Sequence, residues 1–343
     1  MRSALSDCEP EVVAIPGWSN NGAFAALRWC AETATPAVLM SESTALDEPR
    51  VGWRERIKRR IVRLFSTALV GGQSHQRYLE ELGMSSDRSF LGYDAVDNDY
   101  FARSAKEVRS KKEELRKKYE LPESYFLASA RFIEKKNLFR LLKAYSEYRK
   151  QTEVESRREK VEVWDLVLLG DGPLRETLNS ERSRLCPERA TPWRATLNLH
   201  DHVQLPGFKQ YDELPTYYGL ASAFVHASTT EQWGLVVNEA MASGLPVLVS
   251  NRCGCAPDLV QEGRNGFAFD PENIEQLAGL MLKMATAPSR LPAMGEASQD
   301  IIAQWGPERF AHSLEATARA AIEAGPRRMG LLDSMLLEVL IRR

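Results

Sequence analysis

The feature that most constrains this chain is a series of short apolar runs that stop abruptly. From Tyr125 onward they are 125-YFLASARF-132, 165-DLVLLGDG-172, 202-HVQLPGF-208, 223-AFVHAS-228, 246-PVLVSN-251 and 266-GFAFDP-271. They are rich in Val, Leu and Phe and run into Gly, Asp, Ser or Asn, as a buried strand runs into its turn. Between them lie helical patterns such as 137-NLFRLLKAYSEYRK-150, 212-DELPTYYGLAS-222, 233-WGLVVNEAMAS-243 and 273-NIEQLAGLMLKMA-285. Strands alternating with helices predict an α/β fold whose sheet is mostly parallel and covered on both faces. The first hundred residues repeat the alternation more thinly, with strands expected at 11-EVVAIPGW-18, 36-PAVLMSES-43 and 67-TALVGGQS-74.

A length of 343 residues suggests two domains. The charged stretch 104-SAKEVRSKKEELRKKYELPES-124 reads as a linker followed by a helix, which places the boundary near residue 105. The expected division is 1–105, 106–310 and C-terminal helices over 311–343 that pack back toward the first domain. The polar inserts 151–160 and 180–196 read as loops or helix ends. With 43% hydrophobic and 27% charged residues the composition is that of an ordinary soluble globular protein, and a net charge of −2 supplies no global field for nucleic acid. Five scattered cysteines suit reduced thiols and a cytoplasmic setting. Cys253 and Cys255 form a lone CxC without the further ligands a zinc site needs, so no metal is expected there. The N-terminus lacks the pattern of a signal peptide, and no run approaches the roughly 20 apolar residues of a membrane span.

In parallel α/β sheets ligands bind outside the carboxyl ends of the strands. The residues just past the strands form a set: Arg131 and Lys136, the turn 170-GDGP-173, and Glu231 before a helix that begins near Gly234. A helix N-terminus presents free N–H groups and partial positive charge and so favours phosphate. Gly234 allows close approach, Arg131 can bind phosphate oxygens in bidentate fashion, and Lys136 adds a point charge. The set reads as a diphosphate site. Glu239 lies five residues beyond Gly234, about 7–8 Å along the helix axis, which is the reach from a diphosphate to a ribose diol. Taken alone, a glutamate in a helix is an ordinary solvated residue.

The ordered set of Arg131 with Lys136, Gly170-Asp-Gly-Pro173, Glu231 with seven residues before Glu239, Ala240-Met-Ala-Ser-Gly244, and 256-APDLVQEGRNGFAFDP-271 resembles the retaining glycosyltransferases of family 4, the group 1 glycosyltransferases. The likeness spans about residues 90–320. It implies the GT-B fold, two Rossmann-like domains facing a cleft, and metal-independent transfer of a sugar from a nucleotide sugar, UDP- or GDP-linked, with retention at the anomeric carbon. Glu231 would lie near the transferred sugar and Glu239 would bind the ribose hydroxyls. Arg131 and Lys136 would hold the departing diphosphate, with the backbone N–H groups of Gly234 and Leu235. No separate cofactor is implied, and the acceptor would be a glycan, a lipid-linked molecule or a small molecule. Family members carry a longer N-terminal domain, and 10-PEVVAIPGW-18 resembles a strand midway through it. The N-terminal domain is therefore expected to be incomplete, from a misplaced start or a shortened protein, and the alternative reading is a catalytically impaired remnant that still binds nucleotide sugar.

The segment 97-DND-99 resembles the Asp-x-Asp metal motif of the other major glycosyltransferase fold, but it follows no clear strand end and reads as a turn. The turn 170-GDGP-173 lacks the GxGxxG of a dinucleotide oxidoreductase. The basic segment 53-WRERIKRRIVRLF-65 and the tail 326-PRRMGLLDSMLLEVLIRR-343 are compatible with peripheral contact at the inner membrane face, although 53–65 reads first as an outer helix with Trp53, Ile57, Ile61 and Phe65 on the sheet.

Overall fold

The computed structural model describes residues 2–156, 161–185 and 199–342. Its strands are β1 Val13–Pro16, β2 Ala37–Ser41, β3 Thr67–Val70, β4 Ser89–Leu91, β5 Tyr125–Ser129, β6 Asp165–Leu169, β7 Val203–Gly207, β8 Ala223–His226, β9 Val247–Ser250 and β10 Gly266–Phe269. Every strand read from the sequence forms, and β4 is additional. The chain divides into two compact units, Met1–Ala95 with Trp305–Arg343, and Val96–Gln304.

The first unit holds a parallel sheet in the order β1-β2-β3-β4. The helix Asn21–Thr33 buries Ala23, Phe24, Leu27 and Cys30, one face at helical spacing. Asn20 caps it by accepting a hydrogen bond from the Ala23 N–H at 2.8 Å. Two closing helices, Pro307–Ala324 and Leu331–Ile341, complete this unit. Thr67 Oγ1 donates to the Thr317 carbonyl at 3.0 Å, and Leu337 enters the core beside Leu27 and Trp29.

The second unit is a parallel sheet in the order β10-β9-β8-β5-β6-β7. All four residues of β8 and of β9 are buried, as expected where helices cover both faces. Along β8 the side chains alternate: Ala223 and Val225 join the core formed with Leu141, Tyr145, Met281 and Met284, while Phe224 meets Tyr218 at 5.7 Å between ring centroids. The helices Leu138–Glu155 and Ile274–Ala285 pack side by side on the first of these faces.

The boundary lies at 95/96 rather than near 105, for a packing reason. In the stretch read as a linker followed by a helix, the helix forms over Lys112–Tyr119, and the part read as linker belongs to a further helix, Asn98–Ser110. Phe101, Ala105 and Val108 form its buried stripe, and Val108 leaves no room for a side chain at Gly219. Asp97, of the Asp-x-Asp segment, caps this helix by accepting from the Tyr100 N–H at 2.8 Å. Residues 151–155 finish the helix Leu138–Glu155, and residues 180–184 finish Arg175–Arg184. The remainder of the two inserts, 157–160 and 186–196, lies outside the described residues.

At the carboxyl edge of the second sheet, Gly170 adopts φ +124°, and a Cβ there would stand 1.8 Å from the Ala130 carbonyl oxygen. Gly170→Ala is expected to lower stability by at least about 2 kcal/mol, from the left-handed backbone and the forced separation of two loops. Urea or thermal unfolding reads this, and an unchanged midpoint would show that the loops separate freely.

Candidate functional site

The site is built from loops at the carboxyl ends of β5, β6, β8 and β9. The loop after β5 is zipped to the turn after β6: the Ala130 N–H donates to the Leu169 carbonyl at 3.0 Å, the Phe132 N–H to Asp171 at 2.8 Å, and the Leu174 N–H to Phe132 at 3.1 Å. Gly172, at φ +154°, is needed for this approach, because a Cβ would come within 2.8 Å of the Phe132 carbonyl oxygen. The 170-GDGP-173 turn therefore shapes the loop that carries Arg131 and Lys136. That loop ends in a short 3-10 turn, Glu134–Lys136, followed by Asn137 at φ +58°. The Asn137 amide donates to the carbonyls of Ala227 at 3.1 Å and Pro271 at 2.8 Å.

Glu231 sits where these loops converge. Its carboxylate pairs with Lys136, lies 3.5 Å from Lys135 Nζ and 3.6 Å from His226 Nε2, and accepts from Ser228 Oγ at 3.4 Å. Burial alone would push the Glu231 pKa up, but the hydrogen bond from His226 and the Lys136 charge outweigh it and hold the carboxyl below its usual range. Burial holds the His226 pKa below its ordinary value, so at neutral pH this imidazole is uncharged.

Gly234, at φ +106°, caps the helix Leu235–Ala242. A Cβ at Gly234 would be 3.5 Å from Glu231 Cγ, 3.6 Å from His226 Nε2 and 3.7 Å from Cys255 Sγ. The helix is seated by Val237, Ala240 and Met241, all buried, whereas Leu235 is 41% exposed. One further turn along, Glu239 Oε2 accepts a 2.7 Å hydrogen bond from the buried Tyr218 hydroxyl. Burial pushes the Glu239 carboxyl up to about 7, with the Tyr218 bond opposing it.

The structure thus brings Glu231 and Lys136 into contact and sets Gly234 beside Glu231, with Glu239 further along the same helix. Arg131 begins the same loop as Lys136 and is exposed, with no ion pair to a described residue. Sequence reading missed Lys135, Asn137, Tyr218, Ser228 and His226. Of these, only Lys135, adjacent to Lys136, and His226, at the end of a strand, carried any signal by position. Cys253 and Cys255 are both buried, and no group of three or more His, Cys, Asp or Glu among the described residues could hold a metal ion.

The two glutamates predict opposite pH behaviour. The folded Glu239 carboxyl holds its proton more tightly than the unfolded one, whose value is near 4.5. Its contribution to stability is full below that value and is lost as pH rises through about 7. Glu239→Gln should therefore match the wild type at pH 5 and exceed it at pH 8, by on the order of 1–2 kcal/mol. A Gln variant no more stable at pH 8 would show that the carboxylate is not buried at a cost.

The family model for glycosyl transferases group 1 matches residues 111–300. The GDP-mannose-dependent alpha-(1-6)-phosphatidylinositol monomannoside mannosyltransferase of Mycobacterium tuberculosis is 32% identical over 162 residues, covering 45% of this chain and 39% of that protein. The sulfoquinovosyl transferase of Arabidopsis thaliana is 38% identical over 113 residues, covering 32% of this chain and 19% of that protein. The match to each of these relatives spans less than half of the relative's own length. Among solved structures, Anabaena HepE in complex with UDP superposes with a TM-score of 0.70 at 18% identity, over 92% of this chain and 81% of that one. Sucrose-phosphate synthase from Thermosynechococcus elongatus gives 0.67 at 18% identity, over 94% and 76%. These superpositions show the GT-B fold, with its two Rossmann-like domains. The family model spans more than half of the residues, and the chain belongs to the group 1 glycosyltransferases.

Proposed function

We propose that this protein transfers a sugar from a nucleotide-sugar donor to an acceptor hydroxyl, without a metal and with retention at the anomeric carbon. The observation that carries the reading is the pairing of two dissimilar carboxylates on one phosphate-binding element. Glu231 is held ionised by Lys135, Lys136 and His226 beside the Gly234 helix start, and Glu239 lies one and a half turns beyond that start, half-buried on Tyr218. In this reading the diphosphate rests on the N–H groups of Gly234 and Leu235 and draws on Lys136 and the exposed Arg131. Glu239, ionised, accepts the ribose hydroxyls.

The chemical requirement is to stabilise charge that grows on the leaving diphosphate while the sugar takes on oxocarbenium character. Lys135, Lys136, Arg131 and the helix N-terminus supply positive charge that is already oriented, so little reorganisation is needed when the bond breaks. Glu231 positions the lysines in the free protein and faces the sugar end of the donor in the complex. No cofactor beyond the donor is required.

The UDP bound to HepE and the GDP-mannose named for the mycobacterial relative support a UDP- or GDP-linked donor. Relatives named for phosphatidylinositol mannoside and for monoglucosyldiacylglycerol support a lipid-linked acceptor, and a cytoplasmic protein with peripheral contact at the inner membrane face would meet one.

A thermal-shift panel of UDP, GDP, ADP and their sugars identifies the donor, because a ligand bound only by the native state raises its melting temperature. Arg131→Ala and Glu239→Ala should each weaken binding of that nucleotide diphosphate by about 1–3 kcal/mol, the loss of a hydrogen bond involving a charged group. Calorimetric affinities unchanged in both variants would remove the site assignment. Product formation would separate a transferase from a donor-binding remnant. With product in hand, the anomeric configuration by NMR tests retention, and a chelator that abolished turnover would overturn the metal-free reading.

A further inference from the structure

The segments 53–65 and 326–343, which the sequence offers as separate membrane candidates, join in the first unit. The basic helix Gly52–Val62 is docked by the apolar stripe expected of it: Ile61 and Phe65 are buried, and Ile57 packs against the same core. Trp53 alone of that stripe stays out, at 56% exposed. The helix therefore cannot offer an apolar face to anything else. What it does offer is a row of arginines at helical spacing, Arg56, Arg59, Arg60 and Arg63. Arg60 and Arg63 reach Asp333 at 3.1 and 2.9 Å, and Asp333, only 2% exposed, belongs to the helix Leu331–Ile341. Among the described residues no carboxylate comes within ion-pair distance of Arg56 or Arg59.

The helix Leu331–Ile341 supplies the apolar part. One side is docked, with Leu337 buried and Leu336, Leu340 and Ile341 against the core. The other carries Leu331, Leu332, Met335 and Val339, between 57% and 79% exposed, with 331, 335 and 339 in one row along the axis. Its acidic residues are already engaged: Asp333 by the two arginines, Glu338 by Arg28 and Arg342 at 2.6 and 2.5 Å. An exposed apolar row beside two arginines, Arg56 and Arg59, that no described carboxylate pairs fits one kind of partner, a surface that is apolar just beneath a layer of negative charge.

We propose that these two helices form one surface that seats the protein on an anionic lipid bilayer, with Leu331, Leu332, Met335 and Val339 entering the interface and the arginines of Gly52–Val62 meeting the headgroups. Apolar burial and attraction to anionic lipid act together in such a helix. A second copy of this chain fits poorly, because a two-fold contact through the same face would set arginine row against arginine row. Among the described residues no helix is long and apolar enough to cross a membrane, so the contact is peripheral. The inference deepens the membrane part of the proposed function, and its test uses neither donor nor acceptor, so its failure leaves the transferase reading in place.

The test is flotation of the full chain with vesicles of phosphatidylcholine alone or mixed with phosphatidylglycerol. The wild type should bind the anionic vesicles, less so as salt rises, and bind the neutral ones weakly. Arg56→Glu with Arg59→Glu, and separately Leu331→Ser with Met335→Ser, should each lower partitioning roughly tenfold or more. All four positions are exposed, so the melting temperature should stay at its wild-type value. Absence of vesicle binding, equal binding to both compositions, or binding indifferent to both double variants would overturn the proposal. So would a dimer in light scattering that the leucine and methionine substitutions dissolve, because the face would then belong to a second copy.

Discussion

One side-chain amide holds the second unit's carboxyl edge together. Asn137 stands in the left-handed region and gives both of its amide hydrogens to main-chain carbonyls, one after β8 and one after β10. Both bonds are buried, and a buried carbonyl without a donor costs about 1–3 kcal/mol. The loops after β5, β8 and β10 are thus pinned at one point. Lys135 and Lys136 come just before that point and the helix Leu138–Glu155 just after it, so the cations inherit their position from the packed helix behind them. The Thr229 N–H adds a second tie, donating to the Lys135 carbonyl at 2.9 Å.

From this fixed edge the two glutamates acquire opposite characters. Glu231 is desolvated among groups that favour its charge, and Glu239 is desolvated beside a neutral hydroxyl that favours it much less. Paired carboxylates whose surroundings push them apart take different roles. An ionised Glu231 can orient cations and face a developing positive sugar. In the proposed function, a Glu239 poised near neutrality would be stabilised as an anion by the hydroxyls that reach it, so a diol would be bound against a site whose charge is unfavourable without it. That arrangement ties recognition to the relief of a desolvation cost already present in the free protein.

Much of this was legible in the sequence, and the reason is geometric. Buried parallel strands must be continuous and apolar, so β5, β6, β8, β9 and β10 are legible, and with them the loops in which site residues are sought. β4 did not, because three residues with only Phe90 and Leu91 apolar leave no periodicity to read. The helix Asn98–Ser110 was hidden by its charge: its buried stripe is only Phe101, Ala105 and Val108 among polar neighbours. Tyr218 and Asn137 were invisible for a different reason. Their roles depend on which loops and helices meet in space, and neither a tyrosine in an apolar helix nor an asparagine before one differs in sequence from an ordinary core or cap residue.

The loop that carries Cys253 and Cys255 fixes the distance between the two glutamates. The spacing of Glu231 from Glu239 could in principle be set by the helix alone, but Glu231 precedes that helix and needs its own restraint. Its N–H donates to Arg252 at 3.4 Å and its carbonyl accepts from Gly254 at 3.0 Å, while the Cys255 N–H donates to the Trp233 carbonyl at 3.3 Å. The loop bearing Glu231 is therefore laced to 252–255 along its length. Cys255 is fully buried, with its sulfur close to the space a side chain at Gly234 would need. A larger side chain at 255 would press on the turn that starts the helix Leu235–Ala242. A small, apolar, buried thiol accounts for the CxC segment by packing, and the segment's contribution to the site is to hold Glu231 at a constant height above the helix that carries Glu239.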